Sequence, residues 1–117
     1  MFLIEAEAEA RQNKDSEAAQ TLRTLILTRD PSYVLSSNTG VALINEILIH
    51  RRIELWGEGF RFTDLKRMNA PLNRNGANHI ASVAVLFDVP AGDVKWQWLI
   101  PLDELNSNKK SVQNELN

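Results

Sequence analysis

EILIHRRIELWGEGFRFTDLKR, residues 46–67, packs charge and apolar bulk together more densely than any other stretch of the 117-residue chain. With residues 41–56 as one helix, Thr39 stands at the N-cap and Gly57 at the stop. At the helical period Ile44, Ile47, Leu48 and Leu55 fall on one side, and Ile49, Ile53 and Trp56 on another. A helix apolar over most of its circumference is normally buried on several sides, where a surface helix shows one stripe. Charges inside such a pattern must be paired and hydrogen-bonded. Arg51 with Glu54, and Glu58 with Arg61, have the one-turn spacing that suits ion pairs. Beyond Gly57 and Gly59, residues 60–67 read as a short second helix folded back on the first. The stretch is therefore expected to be a core element with a structural salt-bridge network of Arg51, Arg52, Glu54, Glu58, Arg61 and Asp64.

The rest of the composition narrows the function classes. Hydrophobic content of 44% and charged content of 24% are ordinary for a globular chain. A net charge of −2 gives no electrostatic footprint for nucleic acid or an anionic membrane. With no cysteine, disulfides, thiolate metal sites and a cysteine nucleophile are excluded. No apolar run approaches the roughly 20 residues of a membrane-spanning helix. The opening MFLIEAEAEA is acidic and amphipathic, where a signal peptide is basic and then apolar. A start inside a helix, and a central helix asking for more neighbours than this length easily supplies, point to a piece of a longer protein.

Outward from the central stretch, residues 2–12 read as a helix with Leu3, Ala6 and Ala10 on one face and Glu7–Arg11 as a supporting pair. Asp15 or Ser16 can cap a second helix running to about Arg29, with Ala18, Ala19, Leu22, Leu25 and Ile26 as its face and Asp30-Pro31 as its end. Two short amphipathic helices with alanines at the contact make an antiparallel αα-hairpin, the unit of tetratricopeptide-type repeats. Residues 32–40 read as a polar linker and residues 68–81 as a loop. Residues 82–89 and 94–100, about a turn at Pro90-Ala91-Gly92-Asp93, read as a β-hairpin, with Val94, Trp96, Trp98 and Ile100 on one face. The end, from Asn106, is polar and extended. The expected fold is mainly α: an αα-hairpin over 1–31, a long central helix and its successor over 39–68, a small β-hairpin and turn over 82–105 in a loop-rich C-terminal segment, and a tail over 106–117.

In this order Arg51-Arg52-Ile53-Glu54-Leu55, Glu58-Gly59-Phe60-Arg61, Asp64-Leu65-Lys66-Arg67, Ile100-Pro101 and Glu104-Leu105 make a pattern that resembles the C-terminal part of the SusD/RagB family. The resemblance implies a surface-exposed outer-membrane lipoprotein of Gram-negative bacteria. It further implies capture of a glycan, or in some members a peptide, for a TonB-dependent transporter, with no catalytic activity. This chain departs from the pattern at its end, where Asn108 precedes Lys109 and Gln113-Asn114 precedes Glu115 in place of Asn-Pro-containing motifs. The lipidated cysteine and the large N-terminal region of the family are absent from it.

Chemistry beyond this is sparse. Glu54 and Glu58 are one turn apart, but a catalytic carboxylate pair needs unequal environments, and here each is flanked alike by arginine. His50 and Glu46 have metal-ligand spacing, yet two ligands are too few and His79 lies in an unrelated loop. No metal and no cofactor is expected. Arg51, Arg52, Arg61, Lys66 and Arg67 are interleaved with acids, which opposes a nucleic-acid surface. Trp96 and Trp98 are the candidate ligand-binding residues. On one strand face they would form a platform for sugar rings; the competing reading makes them core over the central helix. The alternative function is a free-standing helical-repeat module for protein–protein interaction.

Overall fold

The computed structural model describes residues 1–80 and 82–114. Ala81, in the expected loop, and the last three residues of the expected tail lie outside the described residues. Five α-helices and one two-stranded antiparallel pairing make the chain mainly α among those residues. It divides into two compact units, Met1–Gly59 and Phe60–Asn117.

In the first unit α1 (Phe2–Arg11) and α2 (Asp15–Ile26) form the expected αα-hairpin. Asn13 makes the tight turn between them in the left-handed region, φ 61°, which asparagine tolerates better than most residues. The alanines allow close approach: Ala6, Ala10, Ala18 and Ala19 are buried together with Leu3, Leu22 and Ile26. Glu7 is buried too and accepts from Arg11 Nε at 2.8 Å, so the one-turn pair seals the edge of this contact.

The third helix, α3 (Gly40–Glu54), adds Leu43 and Ile47 to the same core, both fully buried, with Ile44 packed beside them. Here the expectation of burial on several sides is corrected. Ile49, Ile53 and Trp56, the second apolar face, are exposed, Trp56 at 85%. Leu43, one turn before Ile47, completes the single stripe that is buried. The helix caps match expectation in part. Thr39 is the N-cap of α3 but makes no side-chain cap bond, and Lys14 rather than Asp15 or Ser16 is the N-cap of α2. Asp15 instead accepts from the Gly40 N–H at 3.1 Å, so an acid of the second helix satisfies an orphan donor of the third.

In the second unit α4 (Phe60–Arg67) buries Leu65 and Asp64. The strands are β1 (Leu72–Asn73) and β2 (Asp88–Val89), with Leu72 opposite Val89 and Asn73 opposite Asp88. Leu65, Val89 and Trp96 form the core of this unit, with Ala70 and Leu72 packed against them. The sheet is thus small, as expected, but its strands are not those expected from 82–89 and 94–100. After Gly92, Asp93 Oδ1 accepts the Lys95 N–H at 2.8 Å and bends Val94–Trp96 into a 3-10 turn. A carboxylate bonding the backbone two residues on competes with the ladder a strand would need. The freed edge of residues 88–89 pairs with the chain before it instead.

A further correction is α5 (Leu102–Ser107), where a turn and tail were expected. Pro101 stands at its N-cap and Asp103 and Glu104 lie in its first turn, where acids complement the helix dipole. Beyond it the tail is tied down. Gln113 accepts the Ile100 N–H at 2.9 Å through Oε1 and donates Nε2 to the Ile100 carbonyl at 3.0 Å. One side-chain amide therefore gives Ile100 the two bonds that a neighbouring strand would have given.

Candidate functional site

Trp96 and Trp98 do not share a strand face. Trp96 ends the 3-10 turn, is only 9% exposed, and donates Nε1 to the Pro90 carbonyl at 2.7 Å. Trp98 follows on extended backbone and is 77% exposed. What brings the two indoles together is Phe62, one turn before Lys66 on α4. Its ring centroid lies 5.7 Å from that of Trp96 and 5.9 Å from that of Trp98, meeting Trp98 at 72°, edge to face. Edge contacts of this kind hold an aromatic ring in place beyond simple burial. The Trp98 carbonyl also accepts from Asn114 Nδ2, which fixes the backbone under the exposed indole. Phe62 was missed in the sequence because a phenylalanine on a short, charged helix carries no periodic signal.

Beside this ring cluster is a cleft of about 200 Å³. The end of α4 and the turn after it supply Leu65, Lys66, Asn69 and Ala70; the 92–97 segment supplies Gly92, Asp93, Trp96 and Gln97. The backbone explains the glycine: at φ 71° Gly92 is in the left-handed region, which side chains disfavour. The two charges of the lining are not equivalent. Asp93 is engaged by Lys95, through the backbone N–H and through Nζ at 3.9 Å. Lys66 has no carboxylate partner among the described residues, and its Nζ lies 6.0 Å from the Phe62 ring centroid.

The charged residues of the central stretch are not a buried network. Arg52, Glu58 and Arg61 are at exposed positions and Arg51 and Glu54 are half-buried. Glu54 accepts from Arg29 Nη2 at 2.6 Å, a partner 25 residues away that one-turn spacing could not reveal. Asp64 alone of the set is buried, at 4% exposure, and accepts from Arg67 Nε at 2.8 Å. Among the described residues there is no group of three His, Cys, Asp or Glu able to hold a metal ion.

A family model described as the SusD family matches residues 1–116. The chain belongs to the SusD family. No curated protein and no solved structure matches it. Membership implies nutrient binding, typically of glycans, within an outer-membrane uptake system. None of the described helices is long and apolar enough to cross a membrane. In this SusD-family chain Gln113 holds Ile100 and Asn114 holds Trp98, although no proline follows either of them.

A second polar centre of this SusD-family chain was also missed, because its residues are scattered along what reads as a linker. Glu46 on α3 accepts from Tyr33 Oη at 2.6 Å, from Asn38 Nδ2 at 2.8 Å and from Ser36 Oγ, strapping residues 33–38 to the helix. Tyr33 also meets His50 edge to face at 5.7 Å. Burial raises the Glu46 carboxyl, but the hydrogen bonds from Ser36, Tyr33 and Asn38, with the nearby His50, outweigh it and hold it below the ordinary carboxylate range. Burial, then the hydrogen bond and charge of Glu46, push the Tyr33 phenol up. Since the folded carboxyl is depressed, its stabilisation is present above the ordinary value of 4.5 and is lost as pH falls through the lower folded value. Protection of amides 33–38 from exchange, taken relative to the intrinsic rate at each pH, is therefore expected to fall below pH 4.5 in the native chain, with Glu46→Gln removing most of that acid dependence. Unchanged acid dependence in Glu46→Gln would contradict the strap.

Proposed function

We propose that this chain is a non-catalytic part of a glycan-capture protein of the outer membrane, working with a TonB-dependent transporter, and that Trp98 is its sugar platform. Family membership supports the class of ligand and the setting. The observation that carries the residue assignment is the exposed Trp98 indole, braced edge-on by Phe62 and fixed through its carbonyl by Asn114. A rigid, accessible ring is what a pyranose face needs to stack on, because little conformational freedom is lost on binding. Trp56 is as exposed, but among the described residues it makes no ring contact. Trp96 serves as support: its indole is committed to the core and to Pro90. The absence of chemistry in this reading follows from the acids themselves, since Glu54 is bound to Arg29 and not poised beside a reacting group.

Calorimetric titration with a panel of soluble oligosaccharides tests the assignment. Trp98→Ala is expected to weaken the best ligand by about tenfold or more, roughly 1.4 kcal/mol, the scale of one aromatic contact. The far-ultraviolet circular dichroism of the folded chain should be retained. Binding that is unchanged in Trp98→Ala would remove Trp98 from the site.

A further inference from the structure

The cleft beside the ring cluster has a chemistry of its own. At about 200 Å³ it lies below the roughly 300–1,000 Å³ of pockets for drug-sized ligands, so it suits one six-membered ring rather than a chain. Leu65, Ala70 and the Trp96 indole give it an apolar wall, and the Asn69 and Gln97 amides offer both donors and acceptors for hydroxyl groups. Because Asp93 is engaged by Lys95, the uncompensated charge of the lining is the Lys66 ammonium. The Phe62 ring near it attracts a cation but leaves its three donors unfilled. A neutral sugar would satisfy the amides and leave the ammonium unmatched; an anionic group on the same ring would satisfy both.

We propose that this cleft binds a single carboxylated sugar ring, a hexuronic acid unit of an acidic glycan, with its carboxylate on Lys66, its hydroxyls on Asn69 and Gln97, and its apolar face against Leu65 and Trp96. The proposal deepens, and rests on, the reading of the chain as glycan-binding, and it selects acidic over neutral glycans. It also separates two places: an open platform at Trp98 that tolerates many sugars, and a recessed cleft that reads charge.

The test is calorimetric titration of the full chain with sodium galacturonate, galactose and sodium acetate, repeated on Lys66→Gln, Lys66→Arg and Trp98→Ala. A charge-assisted hydrogen bond lost from the site corresponds to about a tenfold change in affinity. Galacturonate is expected to bind about tenfold more tightly than galactose, to lose about tenfold in Lys66→Gln, and to weaken as salt is raised. Lys66→Arg should retain most of the affinity, and Trp98→Ala should leave the preference for galacturonate over galactose intact. Equal binding of galacturonate and galactose, equal binding of acetate, or indifference to Lys66→Gln would each overturn the proposal. If neutral oligosaccharides bind in a Trp98-dependent way while galacturonate does not bind, the cleft assignment fails and the platform stands. If galacturonate binds through Lys66 while Trp98→Ala changes no oligosaccharide, the reverse holds. If no sugar binds to the ordered chain, both fail. Lys66 is exposed, so its substitution leaves the fold in place, which circular dichroism would verify.

Discussion

Ile47→Ala is expected to destabilise the first unit by about 3 kcal/mol, because a fully buried side chain is removed from a core that cannot close over the space. Ile47 is packed among Leu22, Leu43 and the alanines of the αα-hairpin, where interhelical distance is already set by the smallest side chains. Ile53→Ala, six residues on in the same helix, should change stability by no more than about 0.5 kcal/mol, since its side chain is 66% exposed. Denaturant unfolding followed by far-ultraviolet circular dichroism measures both. Equal losses for the two would show that the outer face of α3 is covered in solution, as the sequence pattern alone suggests, and would contradict the one-sided burial described here.

Arg67→Met should cost the second unit about 2 kcal/mol. Asp64 is the buried acid of the central stretch, and removing the cation that bonds it at 2.8 Å leaves desolvated charge less well compensated. The figure is set below the roughly 3–5 kcal/mol of a wholly buried pair because the Arg67 side chain is itself 42% exposed. Arg51→Ala serves as the contrast. From sequence, a buried Glu54 left unpaired predicts a loss of roughly 3 kcal/mol or more; with Glu54 part-exposed and bonded to Arg29, the expected loss falls to about 1 kcal/mol or less. Trp96 fluorescence reports the second unit, since that indole lies in its core. A larger loss from Arg51→Ala than from Arg67→Met would put the buried charge back on the central helix.

The features legible in the sequence were those carried by local spacing. The αα-hairpin could be read because alanine and leucine recur at the helical period on both of its arms, and Glu7–Arg11 because its partners are one turn apart. Helix α3 was legible as a helix, but its burial was not: periodicity shows which faces are apolar and cannot show which of them meets a neighbour. The family resemblance rested on ordered motifs and was legible over almost the whole chain.

The misreadings have a common cause in long-range or side-chain-to-backbone bonds. Asp93 converts an apparent strand start into a turn with a single hydrogen bond. Arg29 reaches Glu54 across 25 residues. Tyr33, Ser36 and Asn38 look like linker until Glu46 gathers them. The same limit applies to the candidate site. Trp96 and Trp98 stood out by type, but their division into a buried support and an exposed platform depends on Phe62 and Asn114, which approach from α4 and from the tail.

The most direct measurement of glycan capture by this segment follows the three indole N–H signals in the nitrogen–proton spectrum of the chain as a soluble oligosaccharide is added. The Trp98 signal is expected to shift most, the Trp96 signal less because its N–H stays on Pro90, and the Trp56 signal not at all. A folded chain whose Trp98 signal stays still across the whole oligosaccharide panel, or in which Trp56 alone responds, would contradict the assignment of the sugar platform to this segment.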